Sequence, residues 1–251
     1  MTLANRKIVI VGATSSIAEH CARNWVKAGG IDLMLVGRDL QRTERVANDL
    51  RVRSPSSRIQ TMQANFVGAG AIAEVVRAIV APGMPDVVLI AHGSLPDQEA
   101  CQESLGLTRD ALEVNGISPV LFAEAFASQM RQAGRGTIAV IGSVAGDRGR
   151  KSNYVYGAAK GLVSRYIEGL QHRLAGTGVH VLLVKPGPTD TPMTAELKAR
   201  GARLAPVESV ARRIVKSIDR GDSTIYVPGK WYWIMLVIRH LPAFIFNKLN
   251  I

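Results

Sequence analysis

Lys7-Ile-Val-Ile-Val-Gly-Ala-Thr-Ser-Ser-Ile-Ala18 carries an apolar run straight into a turn of small and hydroxyl-bearing residues. Hydrophobicity that is continuous rather than alternating marks a strand covered on both faces. Gly12 permits a tight turn. Thr14, Ser15, Ser16 and Ile17 then stand where a helix opens, so backbone amides and hydroxyls gather at a point suited to a pyrophosphate. Six further apolar runs follow, at Asp32–Val36, Ile59–Ala64, Asp86–Ile90, Thr137–Ile141, Val179–Val184 and Thr224–Val227, with longer amphipathic segments between them. The alternation predicts a parallel sheet of about seven strands with helices on both faces.

That order of elements is an α/β, doubly wound, Rossmann-type fold. With 251 residues, 47% of them hydrophobic, one domain over residues 1–228 holds all seven strands, and an apolar, aromatic tail follows at 229–251. Cys21 and Cys101 provide neither a disulfide framework nor metal-ligand spacing, and no pair of histidines does, so no metal site is expected. The first strand starts too early for a signal segment and no run is long enough to span a bilayer, which makes the cytoplasm the expected location. A net charge of +11 asks for an anionic partner, whether nucleic acid, anionic lipid or a phosphorylated ligand. No helix-turn-helix, zinc-finger or aromatic RNA-binding pattern is present, which argues against nucleic acid.

Chemistry concentrates between Ser143 and Lys160. Tyr156 and Lys160 are four apart at the start of a helical pattern and therefore share one helix face. A cation beside a phenol favours its ionised form and suits it to exchange a proton with an alcohol or ketone oxygen. Ser143 ends the fifth apolar run, where α/β sheets gather active-site groups, and its hydroxyl is placed to hold the same oxygen. The second run ends Leu35-Val-Gly-Arg38-Asp39. Gly37, rather than an acid, occupies the place that would meet a ribose 2′-hydroxyl, and Arg38 comes next, so NADP(H) is favoured over NAD(H). Asp39 stands ready either to approach the ribose or to cap the following helix.

Tyr156-x-x-x-Lys160, Ser143, the Gly12 turn, Asn115 on a middle helix and Pro186-Gly187 after the sixth run, in that order, resemble the short-chain dehydrogenase/reductase family over residues 6–228. The turn departs from that family's three glycines, with Ser16 and Ala18 at the second and third positions. The resemblance implies that Asn115, Ser143, Tyr156 and Lys160 are catalytic, with the Asn115 carbonyl holding a relay water; Pro119 nearby is consistent with a local helix distortion. It further implies cofactor contacts from Asn65 and Phe66 at the adenine, from Ala91 and Gly93 in Ile90-Ala-His-Gly93, and from Pro186, Gly187, Thr189 and Thr191 around the nicotinamide, with Tyr156 and Lys160 also touching it. His92 is expected to be packed beside the cofactor or to face solvent rather than to act as an acid or base. A homo-oligomer and a mobile substrate lid at Ala195–Arg203 are also implied.

The loop Asp147-Arg148-Gly-Arg150-Lys151-Ser-Asn153 is basic, and reads either as solvated or as a docking point for phosphate. The tail Lys230–Ile251, with clustered Trp and Tyr and flanking Lys and Arg, reads either as an interfacial membrane segment or as an arm packed in an oligomer. Tail, loop and the Lys185–Lys198 segment resemble those of the decaprenylphosphoryl-2-keto-ribose reductases. That resemblance implies a membrane-associated reductase of a lipid-phosphate sugar. Reduction of a 3-oxoacyl thioester, or NADP(H) binding without turnover in a sensor or scaffold, are the alternatives, alongside an ordinary small-molecule ketone.

Overall fold

The computed structural model describes residues 6–27 and 29–249; residues 1–5, 28 and the last two of the tail, 250 and 251, lie outside it. Seven strands, β1 (Lys7–Val11), β2 (Asp32–Gly37), β3 (Arg58–Gln63), β4 (Val87–Ile90), β5 (Gly136–Ile141), β6 (Val179–Pro186) and β7 (Thr224–Val227), form one sheet in the order β3-β2-β1-β4-β5-β6-β7. Every pairing is parallel. The helices are α1 (Ser16–Val26), α2 (Leu40–Arg53), α3 (Ala69–Val80), α4 (Gln98–Glu103), α5 (Leu105–Leu112), α6 (Ser118–Ala133), α7 (Tyr154–Leu174), α8 (Ala195–Ala199), α9 (Val207–Arg220), α10 (Lys230–His240) and α11 (Ala243–Phe246).

Successive strand side chains point to opposite faces, which is why the runs are apolar at every position. On one face Ile8 and Ile10 join Leu33 and Leu35 and pack with Trp25 of α1, Leu50 of α2 and Ile214 of α9. On the other, Val9 and Val11 pack with Ile79 of α3, Phe122 and Phe126 of α6 and Ile167 of α7. The chain winds outward from β1 to β3, then restarts at β4 and winds the other way. This reversal leaves a crevice beyond the carboxyl ends of β1 and β4, the place where doubly wound sheets bind ligands. Val11 and Ile90 are register partners there, and the Ala91 N–H donates to the Val11 carbonyl at 2.9 Å.

The tail belongs to the body of the fold. Met235 of α10 is buried, and the Trp231 indole packs so closely on Gly187 that a Cβ there would lie 1.9 Å from Nε1. At the far end of α10 the Arg148 guanidinium donates to the carbonyls of Ile238 and of Leu241 (2.7 Å) and lies 3.8 Å over the Phe246 ring. Arg148, half-buried, is thus engaged by the tail, a use that neither reading of its loop included. The outer surface of the tail keeps Trp233 67% and Phe244 70% exposed. No described helix is long and apolar enough to cross a membrane.

Arg148→Ala removes charge-assisted bonds that are each worth about 1.5–3 kcal/mol. The variant is expected to expose 230–249 to limited proteolysis while residues 6–228 stay resistant, monitored by mass spectrometry of the fragments.

Candidate active site

Gly12 sits at φ +86°, and a Cβ on it would lie 2.5 Å from the backbone nitrogen of His92, so no other residue fits where β1 and β4 end side by side. Ser15 stands at the N-cap of α1 without using its side chain as a cap, which leaves hydroxyl and first-turn amides facing the crevice. Thr14, Ser16 and Ile17 are half-buried around it. Ala18 is fully buried, and its size lets the helix close on the sheet. The cradle suits a dinucleotide despite the missing glycines.

At the end of β2, Arg38 is exposed. The Asp39 carboxylate accepts from the Arg42 N–H at 3.0 Å and caps α2, the second of the two uses open to it. After β3, the Asn65 side-chain oxygen accepts from the Val67 N–H at 3.0 Å in a local turn, while its side chain remains at the surface. The Phe66 side chain turns away from the crevice. It is buried with its ring centroid 4.8 Å from His92 and 5.5 Å from Phe122, as an apolar ring next to a strand end favours core over water.

His92 is buried in the same cluster, with Nε2 2.8 Å from the Ser118 hydroxyl. Burial first, then the nearby Lys160 and Arg38 charges, lower its pKa to about 3. The ring is therefore neutral near pH 7. Among the described residues no group of three or more His, Cys, Asp or Glu is arranged to hold a metal ion.

Asn115 lies in a π-helical turn, Glu113–Ile117, between α5 and α6. Pro119, four residues on, has no N–H for the Asn115 carbonyl, and the Ser118 N–H instead reaches back to Glu113. The fully buried Asn115 side chain accepts from the Ser94 N–H at 2.8 Å and donates to the Ala111 carbonyl at 3.0 Å. It thereby ties the β4 loop to the π turn. Gly93 is wedged against this pair: a Cβ on it would lie 2.9 Å from the Asn115 oxygen and 3.7 Å from the Lys160 ammonium.

Lys160 is buried and donates to the Ile141 carbonyl at 2.9 Å. Burial lowers its pKa to about 8. Its ammonium lies 5.9 Å from the centre of the Tyr156 ring. Burial raises the pKa of Tyr156, and the Ser143 hydroxyl beside it offsets part of that rise. In this structure burial therefore favours the protonated phenol. The Ser143 oxygen accepts from the Ala145 N–H at 3.1 Å, which leaves the hydroxyl proton to be donated elsewhere.

An open cleft of about 910 Å³ brings most of these groups together. Ser15 and Ile17 line it, as do Ala91, Gly93, Ser143, Tyr156 and Lys160, together with Pro186, Gly187, Thr189 and Thr191 of the turn after β6. Thr189 is buried with its hydroxyl donated to the Gly187 carbonyl at 2.9 Å, whereas Thr191 is half-buried beside Thr194. Gly12, Thr14, Ser16, Arg38, Asn65, Phe66 and Asn115 lie outside the lining. The segment expected as a lid folds as a short turn, Pro192–Thr194, and α8, presenting Met193, Thr194 and Leu197 to the cleft.

Three features escaped the sequence. Lys185, which opens the Lys185–Lys198 segment named there, is buried in an ion pair with Asp147 at 2.8 Å, and the other Asp147 oxygen accepts from the Tyr226 hydroxyl at 2.7 Å. This network pins the turn after Ser143 to β6 and β7. Arg150 lines the cleft, and Trp231 backs the Gly187 turn. Asp147 as the one acid in a basic loop, and Lys185 directly after an apolar run, were the only signals of the first.

A sequence model described as short chain dehydrogenase matches residues 6–201. An uncharacterized oxidoreductase from the mprA 5′ region of Streptomyces coelicolor is 30% identical, over 97% of this chain and 96% of its own length. An uncharacterized oxidoreductase of Mycobacterium tuberculosis is 28% identical over 96% of each chain. Among solved structures, a candidate NAD(P)-dependent gluconate 5-dehydrogenase from Beutenbergia cavernae, with NADP bound at low occupancy, superposes with a TM-score of 0.81 at 26% identity, covering 92% of this chain and 98% of that one. Fold, cleft and these likenesses agree: the chain belongs to the short-chain dehydrogenase family, and is an NAD(P)-dependent oxidoreductase acting between CH–OH and C=O.

Proposed function

We propose that the protein uses NADP(H) to interconvert a ketone and a secondary alcohol, with Tyr156, Ser143, Lys160 and Asn115 as the catalytic set. The observation that carries this reading is that phenol, serine hydroxyl and ammonium line one cleft beside the Gly12 cradle. In reduction, Tyr156 gives its proton to the carbonyl oxygen, and Ser143, its own oxygen already engaged by Ala145, donates a hydrogen bond to the same atom. Lys160 contributes a positive field under the phenol that favours its deprotonation as the proton leaves. The Asn115 carbonyl, denied its usual helix partner by Pro119, is assigned the water that returns a proton to Lys160.

The cradle of Gly12, Thr14, Ser15, Ser16 and Ile17 fits the pyrophosphate, and Ala91, Gly93, Pro186, Gly187, Thr189 and Thr191 the nicotinamide end; the bound cofactor supplies or accepts the hydride. Asn65 and Phe66, the latter through backbone only, take the adenine side. Exposed Arg38 together with the engagement of Asp39 in capping α2 supports NADP(H) over NAD(H). The relative from Beutenbergia cavernae, solved with NADP, agrees.

For the substrate, the resemblance to decaprenylphosphoryl-2-keto-ribose reductases favours a polyprenyl-phosphate keto-sugar. The outer tail surface supports a cytoplasmic protein attached peripherally to a membrane, since exposed Trp233, Val237 and Phe244 are accompanied by exposed Lys230, Arg239 and Lys248. Exposed Leu105, Leu107 and Leu162 on α5 and α7 offer a surface for a second copy.

Tyr156→Phe is expected to lower kcat for ketone reduction by about 10²–10⁴-fold while NADPH binding, followed by its fluorescence, is unchanged. Retained turnover refutes the role. Arg38→Ala is expected to raise the KM for NADPH by roughly tenfold and leave that for NADH in place; steady-state kinetics with both cofactors decide. Lys160 is charged below its pKa of about 8, so kcat/KM for reduction is expected to hold at neutral pH and fall as pH rises through 8. A profile flat to pH 10 contradicts that assignment.

A further inference from the structure

Lys185 is a buried cation to which the reaction assigns no part. Its ammonium lies 2.8 Å from one Asp147 oxygen, 3.9 Å from a Glu168 oxygen and 5.5 Å over the Tyr226 ring. The side chains of Lys185 and Asp147 are only 5% and 3% exposed. Removing both charges from water offsets much of their attraction, and apolar side chains of like volume often fill such a space at least as stably. Stability therefore does not account for the pair, and the elements that it joins do.

Each partner belongs to a different wall of the catalytic cleft. Asp147 ends the short turn Val144–Asp147, of which Ser143 is the N-cap. Lys185 directly precedes Pro186 and Gly187, which line the cleft. Glu168 is on α7, the helix of Tyr156 and Lys160. Between its ends the turn rests backbone to backbone on that helix. A Cβ on Gly146 would lie 2.5 Å from the Lys160 carbonyl carbon, and one on Gly157 would lie 2.9 Å from the Ala145 oxygen. This contact sets the height of the turn over α7 and leaves its position along the helix to whatever holds the two ends. At the first end the Gly142 N–H donates to the Val184 carbonyl at 2.7 Å. The second end is held by the next residue of the same strand, Lys185.

We propose that Lys185 is a positioning residue for the reaction. Through Asp147 it sets the Ser143 hydroxyl against the Tyr156 phenol, and Glu168 registers α7 to the same ammonium. Lys185 is not part of the cleft lining and acts only through these partners. The catalytic consequence rests on the role proposed for Ser143 above, whereas the placement of the turn does not.

The test uses the double variant Lys185→Met/Asp147→Asn, because Lys185→Met alone would leave the Asp147 carboxylate buried and unpaired. Asp147→Asn keeps an acceptor for the Tyr226 hydroxyl, and melting profiles check that the fold is retained. For ketone reduction this charge-free pair is expected to lower kcat by about 10–10²-fold. Affinity for NADPH, held chiefly at the Gly12 cradle, is expected to stay within about threefold of wild type. Lys185→Arg, which keeps both charges and shifts the donor, is expected to fall between the two. Ser143→Ala is expected to cost about 10²–10³-fold in the wild type. In the charge-free background it is expected to cost roughly tenfold less, since the donor it removes is already misplaced. Wild-type kcat in the charge-free pair, or the same Ser143→Ala factor in both backgrounds, overturns the proposal. If Ser143→Ala keeps wild-type turnover, the catalytic reading of that serine fails, and a crystal structure of the charge-free variant decides the placement alone. A Ser143 turn displaced along α7 upholds the positioning role, and a turn left in place overturns it.

Discussion

The site is organised around one ammonium group kept inside the protein. Lys160 is removed from water, bonded to the carbonyl of Ile141 at the end of β5, and set beneath the Tyr156 ring. Burial makes its charge expensive, which is why its pKa falls to about 8 from the ordinary 10.5. The unfolded chain keeps its proton between those values while the folded chain has released it, so stability rises with pH across that window. Function runs the other way, because the cation is present only below it. The fold accepts a stability cost at neutral pH to hold a charge where a phenol must give up its proton.

Everything near Lys160 is arranged to make that burial possible. The π turn at Glu113–Ile117 brings Asn115 to the back of Gly93, and Gly116 lies against α7, where a Cβ would come 3.2 Å from the Ala159 carbonyl. On the other side the Asp147–Lys185 pair, completed by Tyr226, fixes the turn that follows Ser143. Such a pair, buried on both sides, contributes little net stability but holds its partners in one geometry. Through Arg148 and Trp231 the same turn and the Gly187 turn are joined to α10. The aromatic tail is therefore part of the frame of the cleft as well as a surface facing outward.

The sheet was readable because strands buried on both faces leave unbroken apolar runs, and all seven runs became strands. Boundaries moved by a residue: β4 begins at Val87, one after the expected Asp86, whose carboxylate accepts from the Lys7 N–H. β3, an edge strand with few buried side chains, ends one residue before the expected Ala64. Tyr156 and Lys160 were legible from spacing on one helix. Contacts between distant residues were not, since nothing local relates Asp147 to Lys185 and Tyr226, 38 and 79 positions away. Phe66 shows the opposite limit: position in the motif placed it at the cofactor, while its ring found His92 and Phe122. Asn65 kept its surface position but joined a local turn.

The most direct test of this account is the titration of the Lys160 side chain itself, followed by nitrogen NMR of labelled lysine in the cofactor-free protein. One lysine signal, absent from Lys160→Met, is expected to titrate near pH 8. If every lysine titrates near its ordinary 10.5, the ammonium is not held in the dry pocket described, and the catalytic arrangement built upon it fails.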